Sequence, residues 1–193
     1  MVGSYLDFPP EGVGLDEQDR LLRWFEKFRD PVLWHQLACE LYLETPGRFD
    51  YLLWIVRQTD CDRATAAAVF VVSGAHLCLH GGEGEYDERS MPIAAAICSA
   101  AAKGGYHRSE FPDPSPMLPA SLAAVRESID VAQVSLDARK DKLRFEVPSA
   151  LLNDSYPKAA FTPRYLIEQD SIVRIDSIDD RSRRILEDPF GDH

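Results

Sequence analysis

An alanine-rich segment, DRATAAAVFVVSG at residues 62–74, leaves this chain few places to put it. From Ala64 to Val72 every residue except Thr65 is small or apolar, so a helix here belongs in a core rather than on a surface. Ala64, Ala66, Ala67 and Ala68 leave little bulk between backbones and let neighbouring helices approach closely. Asp62 offers the acceptor oxygen that a helix start needs, and Asp60 places negative charge near the positive end of the helix dipole, worth about 0.3–1 kcal/mol. Gly74 closes the segment. Asp60, Cys61, Asp62, Arg63 and Thr65 therefore read as a structural motif. In it Arg63 is expected to pair with either acid, and Asn or Ser should replace most of what Asp62 contributes.

Periodicity and punctuation place further helices beside this one. Residues 15–29 put Leu21, Leu22, Trp24, Phe25 and Phe28 on one stripe, with Asp16 as cap and Asp30–Pro31 as stop. Pro31 then opens VLWHQLACELYLE, RFDYLLWIVRQ follows, and Ser90 reads as the cap of MPIAAAICSAAAKGG with Gly104 as its stop. FPDPSPMLP holds four prolines in nine residues and reads as an extended connector. SLAAVRESIDVAQV is helical beyond it. KLRFEV alternates with period two, and YLIEQDSIVRID reads as two short strands. The predicted class is mainly α, a compact multi-helix domain with a small β element near the C-terminus. Its divisions are a helical part at 1–111, the connector at 112–120, a helix with short strands on the same core at 121–176, and an acidic tail at 177–193.

Such a chain of 193 residues can bury about 70% of its unfolded surface and needs no disulfide or metal staple. Cys39, Cys61, Cys78 and Cys98 lack the two-residue spacing of zinc or redox motifs and read as reduced, apolar thiols. ATAAAVFVV is too short to span a bilayer, and the first residues show neither basic start nor apolar h-region; the expected compartment is cytoplasmic. With 32 acidic against 21 basic residues the net charge is −11. That balance repels phosphate backbones and anionic lipid, and the two basic clusters, ARKDKLR and RSRR, are interrupted or flanked by acids. An acidic surface instead suits a basic protein partner.

The stretch LWHQLACELYLETPGRFDYLLWIVRQTDCDRATAAAVFVVSG carries a family likeness at Cys61, Asp62, Ala64, Thr65, Ala66 and Phe70, preceded by Trp54 and Ile55. Over roughly residues 33–74 it resembles the bacterial domain of unknown function 4274. Where that family often has an aromatic–Asp–Asp–Gly turn, this chain has ETPGRFD. The resemblance implies a bacterial, mostly helical domain and brings no activity with it.

Other groupings can carry chemistry. HLCLH, if extended, sets His76, Cys78 and His80 on one side, a ligand set that suits zinc with Glu83 or Asp87 as fourth; a helix end running into a loop is the alternative. His35 and Cys39 lie one helical turn apart, as a nucleophile and base would, or line the core. GGEGEYDER lacks the Lys–Ser/Thr ending of a phosphate loop, and its acids repel phosphate. His107, Arg108 and Glu110 share a loop that could bind or regulate, or simply be solvated. No Ser elbow, HExxH or dinucleotide fingerprint occurs. The expected function is a non-catalytic, cytoplasmic protein-binding domain of immunity or adaptor type, acidic towards a basic partner, with no cofactor, nucleic acid or membrane. The alternative is a metal-assisted hydrolase using His76, Cys78 and His80.

Overall fold

The computed structural model describes residues 13–14, 24, 28–40, 45, 47–79, 88–153, 155–167 and 171–175. Five α-helices occur among them: α1 at Pro31–Glu40, α2 at Arg48–Val56, α3 at Arg63–Val72, α4 at Met91–Ala102 and α5 at Leu122–Ala138. Short antiparallel strands, β1 at Val13–Gly14, β2 at Tyr165–Ile167 and β3 at Ser171–Arg174, form one small sheet. The protein is mainly α.

Helix α3 is the hub. Ala64 to Val71 are buried without a break, and the helix touches α1, α2, α4 and α5. Its alanines help, because Ala64 and Ala66 to Ala68 leave little side-chain bulk along the first turns, while Val69, Phe70 and Val71 fill the core beyond them. Gly74, at φ 69°, supplies the left-handed residue that ends it.

Around this hub the local signals act largely as their chemistry dictates. Asp30 Oδ1 accepts from the Val32 N–H at 2.9 Å, and Pro31 takes the first position of α1. The stripe at 15–29 lies outside the described residues apart from Trp24, Phe28 and Arg29. Phe28 N–H donates to Trp24 carbonyl at 2.8 Å, and the two rings stack at 4.8 Å. Ser90 precedes α4, but its side chain does not cap it. The hydroxyl donates to the carbonyl of Ser73 instead, fastening the start of α4 to the end of α3. The proline-rich connector keeps Phe111 buried and makes a 3₁₀ turn at Ser115–Met117. Beyond it Leu122, Val125 and Ile129 of α5 enter the same core as the first four helices.

In the sheet β3 is central, with β1 and β2 on its flanks. Tyr165 faces Arg174 and Ile167 faces Ile172 across the β2–β3 ladder. The exposed edge of β2 is covered by a side chain. Gln36 Oε1 accepts from the N–H groups of Arg164 and Tyr165 at 2.8 and 3.0 Å, and its Nε2 donates to Tyr165 carbonyl at 2.7 Å. The buried carboxamide thus pairs with a strand edge as a peptide group would. Tyr165 hydroxyl donates to Asp30 Oδ2 at 2.6 Å, a second tie between α1 and β2.

Two readings of the sequence need correction. KLRFEV forms no strand. Leu143, Phe145 and Val147 do pack against the core in alternation, yet apart from Arg144 N–H donating to Leu79 carbonyl at 2.8 Å the segment has no ladder. Alternation reports a one-sided burial, and pairing needs a free edge besides. The sheet also includes β1, whose two residues are too few to show any period.

Candidate functional site

The polar start of α3 is a junction. Asp62 is its N-cap, in extended conformation (φ −70°, ψ 148°), and Oδ1 accepts from the Ala64 N–H at 2.8 Å. Its other oxygen accepts from the Glu110 N–H at 2.6 Å, and Arg63 N–H donates to Arg108 carbonyl at 2.8 Å. Both carboxylate oxygens are therefore engaged, one along the helix and one across to the 108–111 loop. Burial raises the Asp62 pKa, while the N–H groups of Glu110, Ala64 and Phe111 and the charge of Arg108 oppose the rise.

Arg63 pairs with neither acid. Its guanidinium donates to Ser109 Oγ at 3.1 Å and to the carbonyl of Ser155, and it lies 4.6 Å over the Tyr156 ring. Asp60 takes Arg29 as partner instead, at 2.6 Å on the surface. The local guess failed because a long, planar side chain reaches partners that sequence distance hides. Cys61 is buried, and burial together with the charges of Asp62 and Asp60 drives its thiol pKa up. It stays protonated and packs as an apolar group.

Thr65 points the other way, into a buried pocket around His35. Thr65 Oγ1 lies 3.1 Å from His35 Nδ1, and the imidazole sits between Phe111 and Phe161 at ring distances of 4.7 and 4.8 Å. Cys39 Sγ is 3.9 Å from Nε2. Desolvation lowers the His35 pKa to about 4 and raises that of Cys39 to about 12. A thiolate nucleophile beside an imidazolium needs both shifts reversed. This His–Cys pair is built to stay neutral.

Of the candidate metal ligands, His76 and Cys78 are not aligned. Ala75–Leu79 is a 3₁₀ helix, in which alternate residues do not share a side. Cys78 is fully buried, and His76 Nδ1 lies 3.3 Å from the carbonyl of Phe70. His80, Glu83 and Asp87 lie outside the described residues. Among the described residues no group of three or more His, Cys, Asp or Glu side chains is placed to hold a metal ion, and no helix is long and apolar enough to cross a membrane. In the loop after α4, Arg108 pairs with Glu110 at 2.6 Å while His107 remains exposed. All four cysteines are free.

A feature not foreseen from the sequence lies on α5. Leu122, Val125, Ile129 and Leu136 face inward. On the opposite face Val131 and Val134 are 66% and 71% exposed, the barest large apolar side chains among the described residues. Glu127, Asp130 and Asp137, all exposed, flank them at helical spacing. Arg126 does not join this face, since it donates to Leu152 carbonyl at 3.3 Å. The signal was available in SLAAVRESIDVAQV: two valines fall off the core stripe, where a purely solvated helix would carry polar residues. Compared with protein-family models, curated proteins and solved structures, the chain finds no match.

Proposed function

We propose that this is a non-catalytic protein-binding domain, of immunity or adaptor type, whose outward face of α5 docks a basic protein. The observation that carries this reading is the pair Val131 and Val134, exposed within a frame of Glu127, Asp130 and Asp137. Apolar contact at the centre with charge at the rim is how protein interfaces are organised, and the frame is of one sign. A partner with Lys or Arg around an apolar spot complements it, and the net charge of −11 speeds the encounter. The reading includes a bacterial, cytoplasmic setting and the likeness of residues 33–74 to the family of unknown function, neither of which assigns an activity.

The test is retention of a basic protein from native lysate at low and at high salt, by the wild-type chain and two double variants. Val131→Ser/Val134→Ser removes the apolar centre, and Glu127→Lys/Asp130→Lys reverses the frame. Both should leave the thermal melt within about 0.5 kcal/mol, as exposed substitutions do. A partner held at low salt and lost by both variants supports the reading. No salt-sensitive partner, or one retained equally by the variants, refutes it.

A further inference from the structure

On a different face, a groove of about 890 Å³ runs between the end of α2 and the length of α4. That volume lies within the range of small-ligand sites. Its floor is Ala95, Ala96, Ser99 and Ala100, so a ligand can approach the helix backbone closely. From Pro92 to Lys103 the helix offers a track of about 16 Å.

The groove's charge is opposite to that of the molecule. Arg57, Lys103 and His107 line it, and no Asp or Glu does. All three are exposed, and none of their side chains has a hydrogen-bond or ion-pair partner among the described residues. They are also not needed to finish α4. The carbonyls of Ala100 and Ala101 are already met by backbone, since Lys103 and Gly105 N–H donate to the first and Gly104 N–H donates to the second. Arg57 and Lys103 stand where α2 and α4 end, beside the His107 imidazole, while Pro92, Ala95 and Ala96 at the other end are uncharged. Tyr106, whose hydroxyl donates to Val56 carbonyl at 2.9 Å, fixes the wall between these ends.

We propose that this groove binds a small amphiphilic carboxylate. The anionic head is held by Arg57, Lys103 and His107, and the apolar tail lies along Ala96, Ala95 and Pro92. Concavity and volume favour a small molecule over a protein surface, and the two-ended lining favours a head with a tail over a compact anion. An acidic protein of net charge −11 repels anions in general, so a cationic concavity selects those whose tails also fit.

The full chain, labelled with nitrogen-15, is titrated with sodium octanoate, with sodium acetate as head alone and 1-octanol as tail alone. Octanoate should saturate one site, with amide shifts gathered at residues 56–59 and 92–107, and bind at least about ten-fold more tightly than either control. Arg57→Gln/Lys103→Gln should weaken it roughly three- to ten-fold, the loss of two partly screened ion pairs. Ser99→Phe, an exposed change that fills the track, should abolish it without altering the melt. Unsaturable binding, shifts centred elsewhere, octanol binding as tightly as octanoate, or an undiminished charge variant would each overturn the proposal.

Discussion

Lowering the pH from about 7.5 to about 5 should destabilise this protein by about 2 kcal/mol through His35 alone. The imidazole is fully buried, held near Thr65 and enclosed by Phe111 and Phe161. Its pKa falls from 6.5 to about 4 for want of solvation, so the folded state prefers the neutral ring. The sign follows from that depression. Stability from the neutral ring is fully present above 6.5 and drains away as the pH falls towards 4, because the unfolded chain takes up the proton first. Integrated over that window the loss is about 2 kcal/mol at pH 5 and about 3 kcal/mol at pH 4. Many carboxylates titrate over the lower part of the same range, so the comparison is with His35→Gln, which shares all of them. Urea melts of both proteins at several pH values give the difference directly. The gap between them should shrink by about 2 kcal/mol between pH 7.5 and pH 5. If the two stability curves run parallel across that interval, or if the His35 ring signal of the native protein already shows the proton at pH 5, the pocket does not do what its burial implies.

Asp62→Ala should cost about 2–4 kcal/mol, because it removes a cap and leaves the N–H groups of Ala64 and Glu110 without their acceptor. Asn and Ser should recover only the capping share, about 1 kcal/mol, since neither presents a second acceptor oxygen to Glu110; denaturant melts ranking Ser or Asn equal to wild type would disprove the two-sided role. Gly105→Ala should cost about 1–3 kcal/mol although the residue is exposed, because a Cβ there would lie 2.8 Å from the carbonyl oxygen of Ala100, and a thermal melt unchanged from wild type would show that the loop moves aside freely. Asp60→Asn should change stability by less than about 1 kcal/mol, since its pair with Arg29 is solvent-exposed, and a larger loss in added salt would contradict that screening.

The helices were readable in advance because their signals are local. Asp62, Gly74, Pro31 and Gly104 act within a turn of their own positions, and a stripe at 3.6 residues states which side is buried. Other features depend on partners that spacing cannot reveal. Arg63 looked towards the acids beside it and found Ser109, Ser155 and Tyr156, while Gln36, an ordinary polar residue on paper, became the cover of a strand edge. KLRFEV kept its alternation without a strand to pair with. Of the proposed binding face, Val131 and Val134 were visible as misfits on the α5 stripe. The cationic groove was not, because Arg57 and Lys103 come to line one groove only through the packing of α2 against α4.

Gln36 also sets a clock on biosynthesis. Its carboxamide and the outer oxygen of Asp30 are satisfied by residues 164 and 165, and Tyr165 follows Gln36 by 129 positions. At about 5–20 residues per second, roughly 6 to 26 seconds separate their appearance at the ribosome. Throughout that interval α1 can begin to gather with α2 and α3, but seating Gln36 would bury a carboxamide oxygen with nothing to bond and leave its Nε2 only Glu40 Oε1, at 3.5 Å. The nascent helix must therefore keep that side wet or lend it to a chaperone. A chain halted before residue 164 carries a helical core whose first member is never fully docked, and that core should be open to proteolysis at α1.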